Sequence, residues 1–361
     1  MRLLPFAFLL VACQHSAPQP PRASLELPIP PHGTLLIGDL HGSREIPAFV
    51  GQVVAAAAER EPVVLALEIP ITEDAAIQTF LASDGGAQAR ARLVAGPWWN
   101  DPSQDGRRSV AMADLIASVR TLGKRAAIVT IDEPGPEREQ AMADRVVAAR
   151  RARPDAALIV YAGNLHTSIH EQSFRPGFAW MAMRIASAGV SLVSINARWP
   201  DGTAWICRDE KPEHCGVGYL AGTPSAPGIH MEADEHYDGW FGLATLTASP
   251  PAAKPELARD LDAKIAAAAT GPDATRARAQ HEYAAKRYDR CAELLAQIAE
   301  PDAGTAYDHA CCLALAGKKD EAFERLRQAI AAGFSDLEHL ANDPDLASLH
   351  DDPRWPAMTK R

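Results

Sequence analysis

Thr34-Leu35-Leu36-Ile37-Gly38-Asp39-Leu40-His41-Gly42 is the stretch on which the reading of the fold turns. Residues 34–37 form an apolar run that reads as a buried strand, and the spacing after Ser43 predicts an amphipathic helix over 45–59. Asp39 and His41 then lie in a strand-to-helix turn, where open α/β sheets bind their ligands, beyond the carboxyl ends of the strands. Two residues apart, they serve as a base with its orienting partner or as two metal ligands. The same two residues also read as a helix cap and a turn histidine.

The pattern repeats along the chain. Strands are predicted over 34–37, 63–67, 126–131, 157–161, 190–195, 204–207 and 241–246, and helices over 45–59, 73–82, 108–122, 137–150 and 178–188. The fold class is therefore α/β, a largely parallel sheet with helices on both faces and an antiparallel edge where the last strands follow one another. An all-α helix-pair repeat domain follows it. The long strands run into Glu68, into Asp132 and Glu133, and into Gly163-Asn164-Leu165-His166. If the strands are parallel, Asp39, His41, Glu68, Asp132 and His166 converge on one edge. Glu68 closes an apolar run and needs a partner there. Helix capping is the competing reading for Glu68, and for Asp132 and Glu133 the preferred one.

The 361 residues suffice for two domains, and 36 basic against 46 acidic side chains, with no basic block, exclude nucleic acid as an expected partner. Arg2 precedes an apolar run over 3–12 that is too short to span a bilayer. Its end, Leu10-Val11-Ala12-Cys13, resembles a bacterial lipobox. That resemblance implies a signal peptide over 1–12, lipid on Cys13 as the membrane anchor, and an outer-membrane lipoprotein facing the periplasm or the surface. Residues 13–32, proline-rich, would be the tether. In an oxidising compartment Cys207 and Cys215, bracketing a polar loop, suit a disulfide staple, while Cys291, Cys311 and Cys312 read as buried thiols on helices.

Two stretches show no clear element. Residues 95–106 carry Trp98 and Trp99 in a polar loop, either packing anchors or a lid. Residues 208–238 are rich in Pro, Gly and His, and a zinc set of Cys207, His214, Cys215 and His230 is drawable there without any standard spacing. The α/β domain is placed at 33–248, a linker at 249–256 around Ser249-Pro250-Pro251, and the helical domain at 257–361. Laying 284–299 over 315–330 aligns Asp289 with Asp320, Glu293 with Glu324, Leu295 with Leu326 and Gln297 with Gln328. Ala310-Cys311-Cys312-Leu313-Ala314-Leu315-Ala316-Gly317, Ala331-Ala332-Gly333-Phe334, His339-Leu340-Ala341-Asn342-Asp343-Pro344-Asp345-Leu346 and Asp351-Asp352-Pro353-Arg354-Trp355 resemble the tetratricopeptide repeat family and the module that closes such arrays. The resemblance implies a protein partner or packing against the chain itself.

Gly38-Asp39-Leu40-His41-Gly42, Leu67-Glu68, Arg138-Glu139-Gln140-Ala141-Met142-Ala143 and Tyr161-Ala162-Gly163-Asn164-Leu165-His166 resemble, in this order, a superfamily. It includes erythromycin esterase-like hydrolases, ChaN-like haem-binding uptake proteins, and TIKI and TraB proteins. The resemblance implies a site of Asp39, His41, Glu68, Arg138 and His166. Asp39 where the esterases have Glu, and a shorter turn, lie closer to the ChaN-like and TIKI-like branches. Three functions stay open. One is ester or amide hydrolysis with His41 as base, oriented by Asp39 or Glu68, and His166 or Arg138 at the oxyanion, or with a divalent metal on Asp39, His41, Glu68 and His166. The second is haem or iron binding without turnover, through the histidines or Tyr161. The third is a scaffold using the repeat module. The α/β domain would take a small molecule or a peptide.

Overall fold

The computed structural model describes residues 25–208 and 211–359. The expected signal peptide and the Cys13 anchor lie outside the described residues, as does most of the tether. No helix of the described residues is long and apolar enough to cross a membrane.

Among the described residues there are nine strands: β1 (Thr34–Asp39), β2 (Val63–Pro70), β3 (Ala126–Asp132), β4 (Ala157–Gly163), β5 (Val193–Arg198), β6 (Gly202–Cys207), β7 (Cys215–Leu220), β8 (Gly228–His230) and β9 (Gly239–Gly242). Seven form one sheet in the order β3-β2-β4-β1-β5-β9-β8, parallel throughout except for the β8 edge. The helices of this domain are α1 (Glu45–Arg60), α2 (Asp74–Leu81), α3 (Ala87–Leu93), α4 (Val110–Arg120), α5 (Arg138–Ala152), α6 (Asn164–Thr167) and α7 (Met181–Ser187). Strand side chains alternate between the faces. Leu35, Ile37, Leu65, Leu67 and Ile159 pack with α1, α2 and α4 on one side, and Leu36, Val64, Ala66, Leu158 and Val160 pack with α5 and α7 on the other. Burial on both sides is what their near-continuous apolar sequence demands.

The expected antiparallel edge is β8 against β9, while β9 itself runs parallel to β5. The strand expected at 204–207 stands outside the main sheet. It pairs with β7 as a hairpin closed by a Cys207–Cys215 disulfide. Residues 208–238, without an element from sequence, thus supply β7 and β8. Joining the two sulfurs removes the thiolates a zinc set would need, and His230 stacks on Trp240 with ring centroids 3.9 Å apart. The hairpin packs on the first turn, where Gly42 (φ +97°) accepts from Trp205 N at 2.9 Å; a Cβ there would lie 2.0 Å from the Trp205 carbonyl oxygen. Ser249-Pro250-Pro251 is likewise no free linker. Val110 N donates to Pro250 O at 2.8 Å and Ala252 N to Arg108 O at 2.9 Å, fastening this segment to the start of α4.

The C-terminal helices are α8 (Leu261–Thr270), α9 (Pro272–Ala284), α10 (Tyr288–Leu295), α11 (Ala303–Leu315), α12 (Lys319–Ala331), α13 (Leu337–Asn342) and α14 (Pro356–Thr359). They enclose a separate core around Phe323, Leu326, Leu340 and Leu346. The reading of Cys291 and Cys312 as thiols is corrected: α10 packs beside α11, their Cα atoms come within 6.0 Å, and the two form a disulfide, leaving Cys311 buried and free.

Candidate functional site

The order β3-β2-β4-β1 sets four strand ends side by side, and with them Asp132, Glu68, the turn bearing His166, and Asp39. Registers are fixed by the ladders, Asp39 opposite Gly163 and Pro70 opposite Asp132. One strand slipped by a residue would turn its acid to the other face of the sheet.

Glu68 is the centre. Its side chain is 4% exposed, and both oxygens are engaged. Oε2 accepts from Gly163 N at 2.6 Å and lies 3.2 Å from His41 Nε2. Oε1 accepts from Arg138 Nη2 at 2.6 Å and Arg107 Nη1 at 3.1 Å. Asp132 holds the same two guanidiniums, from Arg138 Nε at 2.7 Å and Nη2 at 3.0 Å and from Arg107 Nη1 at 3.0 Å. The capping role expected for Asp132 is thereby corrected, since α5 begins without a side-chain cap. Glu133 points outward to Arg145, at 3.4 Å. Arg138 opens α5, where a cation opposes the helix dipole, and the two carboxylates offset that cost.

His41 stands between carboxylates. Nδ1 is 3.1 Å from Asp39 Oδ2, which also accepts from the buried Tyr161 hydroxyl. Burial opposes its charge, but Glu68 and the bonds to Asp39 and Glu68 outweigh burial and push His41 up to about 10. The imidazole is therefore a cation at neutral pH. Burial alone would raise Glu68; the charges of His41 and Arg107 prevail and hold it well below the usual carboxylate range. Burial together with the Asp39 charge raises the Tyr161 hydroxyl, which stays a phenol that donates.

His166 also has a carboxylate near each nitrogen, Glu68 Oε1 at 3.6 Å from Nε2 and Glu139 at Nδ1, but a guanidinium stands closer to Nε2. Its Nε2 is 3.1 Å from Arg138 Nη1, and a guanidinium only donates, so Nε2 carries the lone pair. Its Nδ1 lies 2.7 Å from Glu139 Oε1, out of line for a hydrogen bond, and Glu139 Oε2 accepts from Met181 N at 2.8 Å. Gly163 closes the gap between the imidazoles: a Cβ there would meet His41 Nε2 at 3.2 Å, Glu68 Oε2 at 3.4 Å and His166 Cδ2 at 3.4 Å.

Asp39, His41, Glu68, Arg138 and His166 are thus brought together, with Asp132 beside them. Arg107, Asp105 and Glu139 complete the cluster, and sequence reasoning had given none of them a role in the site. Arg107 comes from the loop of the tryptophan pair. Trp99 is fully buried, and Arg108 ties the loop down through Trp98 O at 2.6 Å, Ser103 O at 2.8 Å and Asp105 at 2.8 Å, so the aromatics pack as anchors. Asp105 in turn orients Arg107, at 2.7 Å. Its carboxyl, which burial alone would raise, is held low by Arg107.

A resident divalent ion does not fit these residues. Glu68 has two cations on one oxygen and an amide with an imidazole on the other, and both nitrogens of His41 face carboxylates. An added dication would meet three cations in place already. Haem iron fits no better, because Tyr161 is 1% exposed with its hydroxyl on Asp39, and His166 Nε2 faces a guanidinium. What the arrangement offers is positive charge and one basic nitrogen over a floor of buried carboxylates. The His41, His166, Arg107 and Arg138 side chains are 19, 13, 17 and 29% exposed, those of Asp39 and Asp132 only 1 and 3%.

No family model and no curated protein matches the chain. Among solved structures it is similar to a succinoglycan biosynthesis protein at 9% identity and a TM-score of 0.46, over 60% of this chain and 88% of that one. A Bacillus cereus protein matches at 9% identity and a TM-score of 0.41, over 62% and 90%. An erythromycin esterase variant in its open conformation matches at 10% identity and a TM-score of 0.44, over 60% of this chain and 91% of that one. In each case the likeness is one of fold, at low sequence identity.

Proposed function

We propose that the carboxyl edge of the sheet is the active centre of a hydrolase that cleaves an ester or amide without a metal. The observation that carries this reading is the difference between two neighbouring imidazoles. His41 lies between two carboxylates and already holds both protons, so it is no base; His166 presents a lone pair at Nε2.

Water reaches His166 by displacing Arg138 Nη1, the one arm of that guanidinium not bound to Asp132 or Glu68. His166 takes the proton as water attacks the carbonyl carbon, and Glu139 steadies the imidazolium that forms. The His41 cation, Arg107 and Arg138 stabilise the oxyanion. As the tetrahedral species collapses, the bond to the leaving oxygen or nitrogen breaks and His166 returns the proton to it. Asp39, Glu68 and Asp132 hold the three cations in place.

The test is hydrolysis of a panel of esters and amides by the purified chain from Leu25 onward. His166→Ala lowers kcat by about 10²–10⁴-fold, and a chelator leaves the rate unchanged. Activity abolished by the chelator, or retained in His166→Ala, contradicts the proposal. We also propose that the protein is exported and lipid-anchored through Cys13. Two disulfides support an oxidising compartment. Cys13→Ser then releases the protein from membranes, and unchanged membrane association refutes the anchor.

A further inference from the structure

At the strand ends each buried acid has an arginine or histidine built against it. A second cluster, in the helical domain, is not so balanced. Cys311 on α11 and Asp343 and Asp345 beyond α13 place a sulfur and two carboxylate oxygens within 4.8 Å of one another, and among the described residues no other such group occurs. Cys311 and Asp343 are buried at 5 and 8% exposure. No lysine or arginine of the described residues pairs with either aspartate; the one ion-pair contact is His339 Nε2, 3.5 Å from Asp343 Oδ2.

The donors are also spaced and oriented. Cys311 Sγ is 3.8 Å from Asp343 Oδ2, and the same oxygen lies 3.5 Å from His339 Nε2. A tetrahedral ion with bonds of about 2.0–2.3 Å separates its ligands by about 3.3–3.5 Å, a few tenths less than these distances. Tyr307 hydroxyl donates to Asp343 Oδ2 and Tyr283 hydroxyl to Asp345 Oδ2, each at 2.6 Å. Asp343 Oδ1 accepts from Asp345 N at 2.9 Å, which fixes the turn carrying both. Carboxylates held by outer hydroxyl donors are the usual second layer of a metal site. One thiol and two carboxylates suit a borderline ion such as zinc.

We propose that Cys311, Asp343 and Asp345 bind a zinc-type divalent cation that ties the closing turn of the helical domain to α11. On binding, the Cys311 S–H bond breaks, its proton passes to solvent and a thiolate–metal bond forms. The site is independent of the hydrolase reading.

The experiment titrates the metal-free purified protein with zinc by calorimetry and with cobalt(II) by absorption. One equivalent of zinc binds and raises Tm, and cobalt gives a thiolate charge-transfer band. Asp345→Asn weakens zinc binding at least tenfold, Cys311→Ser abolishes the cobalt band, and His166→Ala changes neither. Circular dichroism verifies that each variant is folded; Asp345, partly exposed, is the safer of the two substitutions. No zinc binding by the parent protein, or binding unaltered in Asp345→Asn and Cys311→Ser, overturns the proposal. Loss of binding in His166→Ala also overturns it, by moving the metal to the strand ends.

Discussion

Replacing Glu68 by Gln keeps the shape of the side chain and removes its charge, and the surroundings leave the amide no comfortable orientation. One carboxylate oxygen faces two guanidiniums and the other faces the Gly163 amide and His41, so every neighbour is a donor. Whichever way the amide turns, its NH2 meets donors. With Oε1 toward the arginines, the 2.6 Å bond from Gly163 N is lost; in the other orientation the two guanidinium bonds are lost. Removing one partner of a buried ion pair costs about 3–5 kcal/mol, and because Asp132 still holds both arginines the lower end applies, about 3 kcal/mol. For a domain of this size that is a fall in Tm of roughly 6–12 °C. Urea unfolding of Glu68→Gln beside Glu133→Gln measures it, the second variant touching only surface Arg145 and changing stability by less than about 0.5 kcal/mol. A Glu68→Gln loss below about 1 kcal/mol refutes the central place given to this carboxylate.

Two further outcomes follow from the same geometry. His41, raised from 6.5 to about 10, contributes stability that is complete below pH 6.5 and lost as pH rises through about 10, whereas Glu68, held low, contributes above its ordinary value of 4.5 and loses this only in acid. Tm of the parent protein therefore declines from pH 6.5 toward 10, and His41→Gln flattens that decline; equal slopes in both proteins contradict the assignment. Gly163→Ala pushes His41 away by a few tenths of an ångström, at the seam between His41, Glu68 and His166. Hydrolysis then falls at least tenfold with only a small change in Tm, and full activity in this variant shows that the spacing of the imidazoles is immaterial.

The strand ends were legible because burial on both faces makes the strands of a parallel sheet read as apolar runs, and a charge at the end of such a run stands out. Asp39, Glu68 and His166 were found that way. Arg107 was not, because its loop has no periodicity, although Glu68 and Asp132 needing more cation than Arg138 supplies would have drawn attention to this arginine just ahead of α4. Asp132 read as a cap because the turn before α5 has cap-like sequence; only the third dimension puts Arg138 within its reach. For His41 the sequence set one acid beside it, and the sheet order adds Glu68 on its other nitrogen, which is why the proposal takes His166 instead as the base. The β6–β7 hairpin escaped a full reading because its second strand is built of Gly, Val and Tyr among turn residues.

The division of labour between the two imidazoles is tested most directly by long-range nitrogen–proton NMR on the histidine rings at pH 7.5, with His41→Gln and His166→Ala used to assign the signals. One ring, His41, is doubly protonated, and the other, His166, carries no proton on Nε2. A neutral His41, or a His166 protonated on Nε2, contradicts the account.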